Sequence, residues 1–382
     1  KKEEEKNMRS LFCIMFIFLL FLTTGCWDKE EIEQRLFVIE IGIDVYQNEG
    51  ENNTDRLTVT YQYPNINAIG KNAGSGPSNF LLTANSSSVF QTGRHFMSKV
   101  AFPFHFKHLK VIILGRDFLR EDELMRSVLD ELNRDTKINK RVRILASDRK
   151  AVEILEASHT MEQRIEGTIY STVRDNRHTS SFTVKALTDL ITDFDIAGVT
   201  IVPRVTLDEN NKFMVSGGCI LKDYRFLDWV NAEENKIINL INGDVALETI
   251  DVEYNGNIIS YAITSSSTKR NVDVGDKITA NINIEVEGYL QGYILNNKKN
   301  VEDVKTVLEM EKSIEDEMNK MINQTVSHIK EIKADLIGIG EHLSKFHPKV
   351  WEKIRDNWDD IFSDIEFNIN VDAKIRRIGL TK

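Results

Sequence analysis

Cysteine is scarce in this chain, which has three cysteines among 382 residues. Three cysteines are too few for a disulfide framework, so the fold must be stabilised by its hydrophobic core. Cys13 lies inside an apolar segment near the start, and Cys219 lies in the apolar run Gly217–Leu221, which is typical of a buried strand. We interpret Cys219 as a core residue, because no His or acidic partner that would make it a nucleophile can be assigned to it.

Positive charge is also in short supply. The formal net charge is -10 at pH 7, and no cluster of Lys and Arg compensates for it. A nucleic-acid partner is therefore not expected, because neutralising phosphates requires a basic surface. The same balance argues against attachment to anionic lipid by charge. With 41% hydrophobic and 28% charged residues, the composition is that of an ordinary folded globular protein.

The apolar segment near the start is too short to cross a bilayer. It runs from Leu11 to Leu22 and would cover about 18 Å as a helix, against a hydrocarbon core of about 30 Å. Arg9 precedes it and small residues follow it, so it has the parts of a secretory signal peptide. Met8 is the natural start of that peptide. An uncleaved membrane anchor is the alternative interpretation.

Cys26 follows this segment directly and precedes a polar, charged sequence. A cysteine at the cleavage point resembles a bacterial lipobox, in which the thiol is joined to diacylglycerol and becomes the new N-terminus. We therefore predict that residues 1–25 are a signal peptide and that Cys26 is the lipid attachment site. Two acyl chains would hold the protein durably, whereas one chain binds reversibly. Thr23 stands where a lipobox usually has Leu.

Residues 26–197 are predicted to form an N-terminal α/β domain. Runs of β-branched residues and period-two alternation predict strands at residues 36–45, 56–63, 109–114 and 140–146. Helices are predicted to begin at one of Ser86, Ser87 or Ser88, at Asp117 and at Asp148, because these side chains are common N-terminal caps. Strands and helices that alternate in this way are typical of an α/β arrangement with a mixed sheet.

Residues 198–382 are predicted to form a C-terminal α+β domain. The helical period disappears near Gly198, and strands are predicted at residues 202–207, 213–221, 245–254, 257–265 and 278–290. Asn255-Gly256 is a two-residue hairpin signal, so these strands should be antiparallel. The predicted fold class is α+β, with an antiparallel C-terminal sheet covered by a long helix and two to three subdomains in all.

Apolar residues recur at three- and four-residue spacing between Val301 and Leu336, which predicts one long amphipathic helix. We favour a helix laid across the preceding sheet, and a coiled-coil dimer is the alternative. A second helix is predicted from Pro348 to Phe362, followed by a final alternating strand. Trp351 and Trp358 lie on one face of this helix and are interpreted as core residues, with a partner-binding aromatic patch as the alternative.

Recognisable catalytic motifs are absent from the sequence. No phosphate loop, dinucleotide-binding glycine pattern, zinc motif or nucleophile elbow occurs. His95, His105 and His108 invite a metal hypothesis, but no cysteine or carboxylate lies close by in sequence to complete such a site. We therefore predict no catalytic residue, no metal and no cofactor, and we do not expect an enzyme.

Several short motifs follow one another from Cys26 to the last predicted strand. They are Gly25-Cys26-Trp27-Asp28, Ile41-Gly42-Ile43-Asp44, Tyr61-Gln62-Tyr63-Pro64, the run from His108 to Gly115, the run from Ser216 to Lys222, the run from Lys333 to Gly340, His347-Pro348-Lys349-Val350-Trp351, and Trp358. In this order and spacing the motifs resemble those of the Ger(x)C family, the C-subunit lipoproteins of nutrient germinant receptors in spore-forming bacteria.

The resemblance implies a lipid-anchored, non-catalytic subunit on the outer face of the spore inner membrane. Its partners would be the A subunit of the receptor, which has membrane helices, and the B subunit, which resembles amino-acid transporters. Its own membrane contact would be the diacylglyceryl group on Cys26. The family's receptors sense nutrients such as amino acids or sugars and trigger germination. Proteins of the family fold as α+β modules with mixed sheets.

Two other classes of function stay open at this point. One is a solitary lipoprotein that binds a small nutrient directly. The other is an envelope hydrolase, which would need a cleft with coupled titrating residues. The sequence does not name a nutrient, and whether the chain contacts a small molecule directly is left open.

Overall fold

Two β-sheets organise the chain, an eight-stranded mixed sheet followed by a four-stranded sheet. They are seen in a computed structural model, which describes residues 34–47, 54–65, 68, 76–159, 168–174, 180–244, 248–293 and 303–378. No helix in these ranges is long and apolar enough to cross a membrane. The α+β fold class predicted from the sequence is confirmed.

The eight-stranded sheet has the order β10-β9-β8-β7-β6-β2-β3-β4, and the short pair β1 and β5 lies apart from it. Strands β2, β6, β7 and β8 are parallel, and the other neighbours are antiparallel. The strands are β1 Leu36–Phe37, β2 Glu40–Val45, β3 Leu57–Pro64, β4 Asn79–Ser86, β5 Phe104–His105, β6 Val111–Leu114, β7 Arg143–Ser147, β8 Val199–Leu207, β9 Phe213–Lys222 and β10 Arg225–Val230.

Helices cover both faces of this sheet, which explains the uninterrupted apolar run of β6. Ile112 and Leu114 contribute to the core on one face, and Val111 and Ile113 contribute to the core on the other. A strand buried on both faces has no solvent side to alternate with. The helices of this part are α1 Val89–Phe96, α2 Asp122–Arg134, α3 Ala151–His159, α4 Thr168–Val173, α5 Leu187–Ala197 and α6 Ala232–Asn242.

The first sheet continues past the predicted division between residues 197 and 198. The sequence predicts β8 and β9 as strands of the C-terminal domain, and it does not predict β10. In the structure, all three strands form one side of the eight-stranded sheet. Gly198 is the left-handed C-cap of α5, with φ of 68°, and leads directly into β8. The change from helical to strand periodicity therefore marks the last parallel strand, β8, and the two antiparallel strands that follow it, and the division at residue 198 cuts through this sheet.

The four-stranded sheet has the order β11-β12-β13-β14. Its first three strands are antiparallel, as predicted, and the last strand pairs with β13 in parallel. The predicted hairpin is confirmed, since Asn255 and Gly256 have φ of 52° and 74° between β11 and β12. The strands are β11 Glu248–Tyr254, β12 Asn257–Val274, β13 Ile278–Tyr293 and β14 Glu366–Ile378, and the helices are α7 Val304–Glu331, α8 Ile339–Phe346, α9 Pro348–Ile354 and α10 Trp358–Asp364.

The long helix α7 lies across the second sheet, which is the arrangement favoured from the sequence. Its apolar stripe is buried against the strands through Met310, Ile314, Met318, Ile322 and Ile329. Val304 and Leu308, predicted to lie on the same stripe, are 71% and 58% exposed at the beginning of the helix. The single helix predicted from Pro348 to Phe362 is divided into α9, a 3₁₀ turn and α10.

Two of the predicted helix caps are wrong. Asp117 makes no capping hydrogen bond and precedes a 3₁₀ turn, and α2 begins only at Asp122. Helix α3 is capped by Asp44 of β2, whose carboxylate accepts hydrogen bonds from the amides of Ala151 (2.8 Å) and Val152 (3.1 Å). Asp148, predicted for that role, is hydrogen-bonded to Arg204 and Thr206 of β8. The Ser88 cap of α1 is confirmed, because its side chain accepts from the Gln91 amide.

Candidate functional site

The predicted lipid attachment site, Cys26, lies outside the residues that the structure describes. The described chain begins at Gln34, just before β1, and β1 pairs in parallel with β5. The Leu36 amide donates to the Pro103 carbonyl at 3.0 Å, and the Val38 amide donates to the His105 carbonyl at 3.0 Å. This pairing fixes the place at which the N-terminal segment joins the fold.

The three histidines considered as metal ligands have other neighbours. His105 and His108 pack on Phe37, with ring centroids 6.0 Å and 4.8 Å away. His95 places Nδ1 3.1 Å from the Asn85 carbonyl oxygen. Within the described part of the chain, no three His, Cys, Asp or Glu side chains are grouped so that they could hold a metal ion.

Cys219 lies in the core of the first sheet, as the sequence predicted. It is fully buried on β9, where it is paired with Val202 on one side and Trp229 on the other. Burial raises the pKa of the Cys219 thiol well above its ordinary value. Because the thiolate is the reactive form of cysteine, this residue is a packing group in the structure.

The motif from Lys333 to Gly340 forms a tight turn against the two tryptophans. The buried Asp335 carboxylate accepts hydrogen bonds from the amides of Ile339 (3.0 Å) and Gly340 (2.6 Å) at the start of α8. The rings of Trp351 and Trp358 meet edge to face at 5.1 Å and belong to the core of the second sheet. Burial raises the pKa of Asp335, while these two hydrogen bonds, Arg270 and Trp358 lower it. The tryptophans are core residues, as predicted.

A polar cleft of about 330 Å³ lies where the two sheets meet, and we call it the junction cleft. It is bounded by the end of α5, the start of β8, the end of α6, β12 and the turn before α8. Its polar lining consists of Thr183, Lys185, Asp193, Thr200, Asn239, Asn242, Asp244, Arg270, Asp335 and Glu341. A concave site with converging polar groups at a domain junction is a common place for a small ligand.

Charges of both signs face the junction cleft. Lys185 and Asp193 form an ion pair at 2.7 Å. The Arg270 guanidinium donates from Nη2 to the Ile241 carbonyl (3.2 Å) and to Asn242 Oδ1 (3.1 Å), while its buried Nε has no partner among the described residues. Burial lowers the pKa of Arg270, and the carboxylates of Asp335 and Glu341 oppose that effect. The cleft could hold a small polar molecule that carries both charges.

His328 joins the long helix to the first sheet beside this junction. Its Nδ1 lies 2.8 Å from Glu234 Oε1 at the start of α6, and its Nε2 lies 3.2 Å from Asp228 Oδ2 on β10. Burial lowers the pKa of His328, but hydrogen bonds to the two carboxylates and their charges outweigh burial and raise it. His328 thus fastens α7 to the first sheet through its contacts with two carboxylates.

No pattern in the sequence predicted the junction cleft. Its lining residues come from five separate stretches of chain, and only the stretch that contains Asp335 belongs to a motif. Asp335 and Gly338 were noticed within a motif, but only the fold brings them close to Arg270 and α5.

Comparison with known proteins identifies the family. A family model described as "Spore germination protein N-terminal domain" matches residues 28–207, and one described as "Spore germination B3/ GerAC like, C-terminal" matches residues 216–379. Spore germination protein A3 of Bacillus subtilis (strain 168) is 27% identical over 379 residues, covering 97% of this chain and 98% of the relative. Spore germination protein B3 of the same organism is 23% identical over 377 residues, covering 97% and 98%.

A solved structure shares the fold. The crystal structure of the GerBC protein superposes with a TM-score of 0.55 at 18% identity, covering 92% of this chain and 100% of that chain. The two family models follow each other along the sequence, and the relatives align over nearly their whole length. The chain therefore belongs to the Ger(x)C family of spore germination proteins.

Proposed function

We propose that this chain is the lipid-anchored, non-catalytic C subunit of a nutrient germinant receptor and takes part in triggering spore germination. The observation that carries the proposal is the match of both family models, in order, over residues 28–207 and 216–379. The relatives that align over nearly the whole chain are named as spore germination proteins. Both halves of the chain are therefore matched by models of spore germination proteins, which supports a role in germination.

The anchor in this proposal is a diacylglyceryl group on Cys26. It would hold the folded body on the outer face of the spore inner membrane, next to the A and B membrane subunits of the receptor. Support comes from the position of Cys26 directly after an apolar segment that is too short to span a bilayer. Two acyl chains are sufficient for stable attachment without any spanning helix.

The decisive experiment replaces Cys26 in the spore-forming host. We expect Cys26→Ser to release the protein from the membrane fraction and to abolish germination with one set of nutrients, as deletion of the protein should. Cys219→Ala is the matched control, because it removes a cysteine from the core and leaves the anchor in place. Mass spectrometry of the native N-terminus should detect a diacylglyceryl cysteine.

The receptor role and the lipid anchor can be refuted separately. A deletion strain that responds normally to every nutrient would contradict the receptor role. An unmodified N-terminus on a protein that is absent from membranes would contradict the anchor, whatever the germination result.

Capture of a small nutrient by the isolated chain is a second candidate function, and the junction cleft favours it. Arg270 and Glu341 offer opposite charges there, which suits a zwitterion. Calorimetry with a panel of amino acids and sugars tests this function, and Arg270→Gln should abolish any binding in the cleft. A receptor subunit that acts only with its partners should give weak heats or none.

A further inference from the structure

One long stretch of this acidic chain contains no acidic residue. Between Asp55 and Asp117 there is no Asp or Glu, although the whole chain has 59 of them. The same stretch carries seven Lys and Arg residues and three His residues: Arg56, Lys71, Arg94, Lys99, Lys107, Lys110, Arg116, His95, His105 and His108. The charge along this stretch of chain is therefore opposite to the charge of the whole chain.

Part of this charge is exposed and unpaired. Arg56 and Arg116, at the ends of the stretch, form ion pairs with Glu121 and Asp117. Arg94, Lys99 and Lys107 are exposed and form no ion pair with any residue that the structure describes. These three cations lie on α1, on the loop that follows α1 and directly after β5.

Large apolar side chains are exposed in the same place. Phe80 is 40% exposed, Met97 is 59% exposed and Phe102 is 37% exposed. Phe80 packs on Tyr63 with ring centroids 5.6 Å apart, and Tyr63 packs on Phe104 at 5.7 Å. These contacts connect the ends of β3 and β4 with β5, which directly follows Phe102.

The loop between α1 and β5 is held in place at its base. The amides of Lys99 and Val100 both donate to the Phe96 carbonyl, at 2.7 Å and 3.1 Å. The Phe96 ring lies 5.8 Å from the ring of Phe104. The exposed Met97, Lys99 and Phe102 are therefore presented by a folded loop that is anchored to the core through its aromatic neighbours.

The N-terminal segment arrives beside this loop. Because β1 and β5 are parallel, with Leu36 opposite Phe104, the residues before Leu36 run alongside Phe102 and Pro103. Residues 27–33 separate Cys26 from the described chain. Fully extended, such a segment spans at most about 25 Å, so a lipid on Cys26 would hold the membrane surface close to this loop.

We propose that Tyr63, Phe80, Met97 and Phe102, together with Arg94, Lys99 and Lys107, form a surface that docks on the headgroup region of an anionic bilayer. We call it the entry face. The proposal rests on the proposed lipid anchor. Aromatic side chains prefer the membrane interface, and Lys and Arg are attracted to anionic headgroups within a Debye length of about 8 Å. The negative charge of the rest of the chain is screened over larger distances.

Docking would set the orientation of the whole subunit. A flexible tether alone leaves the body free to rotate, whereas the entry face would hold the short β1–β5 pair and the neighbouring ends of β3 and β4 against the bilayer. This revises the expectation, drawn from net charge, that anionic lipid is not contacted through charge.

Hydrogen–deuterium exchange on vesicles tests the entry face. The chain from residue 26 to residue 382 is coupled through Cys26 to a maleimide-headgroup lipid, so the test does not depend on natural lipidation. On vesicles containing phosphatidylglycerol, amides 97–102 should exchange more slowly than on pure phosphatidylcholine. The turn at residues 208–211, which joins β8 to β9 and lies outside the entry face, should exchange equally on both kinds of vesicle.

Charge reversal provides the matched comparison. Lys99→Glu/Lys107→Glu should lower the ratio of docked to undocked protein by at least about tenfold and abolish the protection. Lys212→Glu/Lys349→Glu changes the net charge equally at exposed positions outside the entry face and should leave the protection intact.

Two results would overturn the entry face. Equal exchange of amides 97–102 on both kinds of vesicle means that the face does not dock on anionic lipid. Protection that arises only in membranes containing the partner subunits would assign this surface to a protein instead. Absence of natural lipidation on Cys26 would refute the anchor without changing the vesicle result.

Discussion

At the scale of single residues, Gly340 is constrained by the two tryptophans beside it. A Cβ atom at this position would lie 2.9 Å from the Trp351 ring and 3.0 Å from Trp358 Nε1. The Trp358 ring is buried in the core, and the partly buried Trp351 ring packs against that core, so neither ring can move aside freely. The glycine in this family motif therefore has a packing reason, which differs from the left-handed conformation of Gly338 two residues earlier, with φ of 68°.

We expect Gly340→Ala to destabilise the protein. Alanine is favoured over glycine inside a helix by about 1 kcal/mol, but overpacking costs about 1 to 3 kcal/mol. The net change in the free energy of unfolding should be a loss of up to about 2 kcal/mol, measured by urea denaturation. Gly275→Ala is the control, because its Cβ would meet nothing closer than 3.8 Å. A gain in stability at residue 340 would contradict the packing argument.

Glu40 is a buried carboxyl at the start of β2. Its Oε1 accepts a hydrogen bond from the Tyr170 amide at 3.2 Å, and its Oε2 has no partner among the described residues. It faces Gln62 across the β2–β3 pair, and both side chains are buried. Burial raises the pKa of Glu40 to about 8, and the hydrogen bond from Tyr170 only partly opposes this effect.

The raised pKa predicts a pH dependence of stability. The fold prefers protonated Glu40, so its contribution is fully present below about pH 4.5 and is lost as the pH rises through about 8. Relative to Glu40→Gln, which cannot ionise, the wild type should lose up to about 1.4 kcal/mol of unfolding free energy per pH unit in that window. Urea denaturation of both proteins between pH 5 and pH 8 measures this, and parallel curves would disprove it.

At the scale of elements, the long helix protects an open sheet edge. Strand β14 is the last strand of its sheet, and α7 lies alongside it. The Glu315 carboxylate accepts from the Ala373 amide at 3.2 Å, and the Glu311 carboxylate accepts from the Ile375 amide at 2.9 Å. Unpaired strand amides invite pairing with another chain, and these two glutamates occupy two of them.

We expect Glu311→Ala/Glu315→Ala to expose this edge and to cause self-association, measured by size-exclusion chromatography with light scattering. Glu311→Gln/Glu315→Gln keeps a hydrogen-bond acceptor at each position, so this variant should show no more self-association than the wild type. Asp316→Ala/Glu331→Ala removes the same charge from exposed positions of α7 and is the control. Equal self-association of all three variants would mean that the loss of negative charge causes it, and would exclude protection of the sheet edge by Glu311 and Glu315.

Local signals in the sequence predicted most helices and strands. The wrong predictions concern features that depend on contacts between residues distant in sequence. The Ser88 cap and the Asn255-Gly256 hairpin depend on neighbouring residues and were predicted correctly. The cap of α3 comes from Asp44, which no motif around residue 151 could reveal. Helix α6 was missed although Asn231 and Glu234 form a readable capping box. The junction cleft could not be predicted, because five separate stretches of chain build it.

At the scale of the whole molecule, the first sheet shares a buried contact with the segment that follows the long helix of the second sheet. Val199, Ile201 and Ile220 of the first sheet pack in one cluster with Ala334, which follows the long helix. Polar contacts surround this cluster, including Lys222 Nζ to the Lys333 carbonyl at 2.8 Å and Asn242 Nδ2 to the Leu336 carbonyl at 3.0 Å. The first sheet is complete only when β8, β9 and β10 are present.

Fragments test where the N-terminal folding unit ends. A fragment of residues 34–197 lacks three strands and leaves β7 as an open edge, so we expect no cooperative thermal unfolding by circular dichroism. A fragment of residues 34–244 keeps the eight strands and α6 and should unfold cooperatively. Cooperative unfolding of the shorter fragment would instead support the predicted domain boundary between residues 197 and 198.

Strand β14, which pairs in parallel with β13, determines when the second sheet can be completed. This strand pairs with residues 279–290 from a position more than seventy residues further along the chain, and such distant pairing is slow because the loop must close first. During synthesis, the apolar stripe of α7 must wait for the last segment to emerge. A premature stop codon within the final strand would therefore leave a polypeptide with a half-covered helix, a substrate for quality-control proteases despite an intact first sheet.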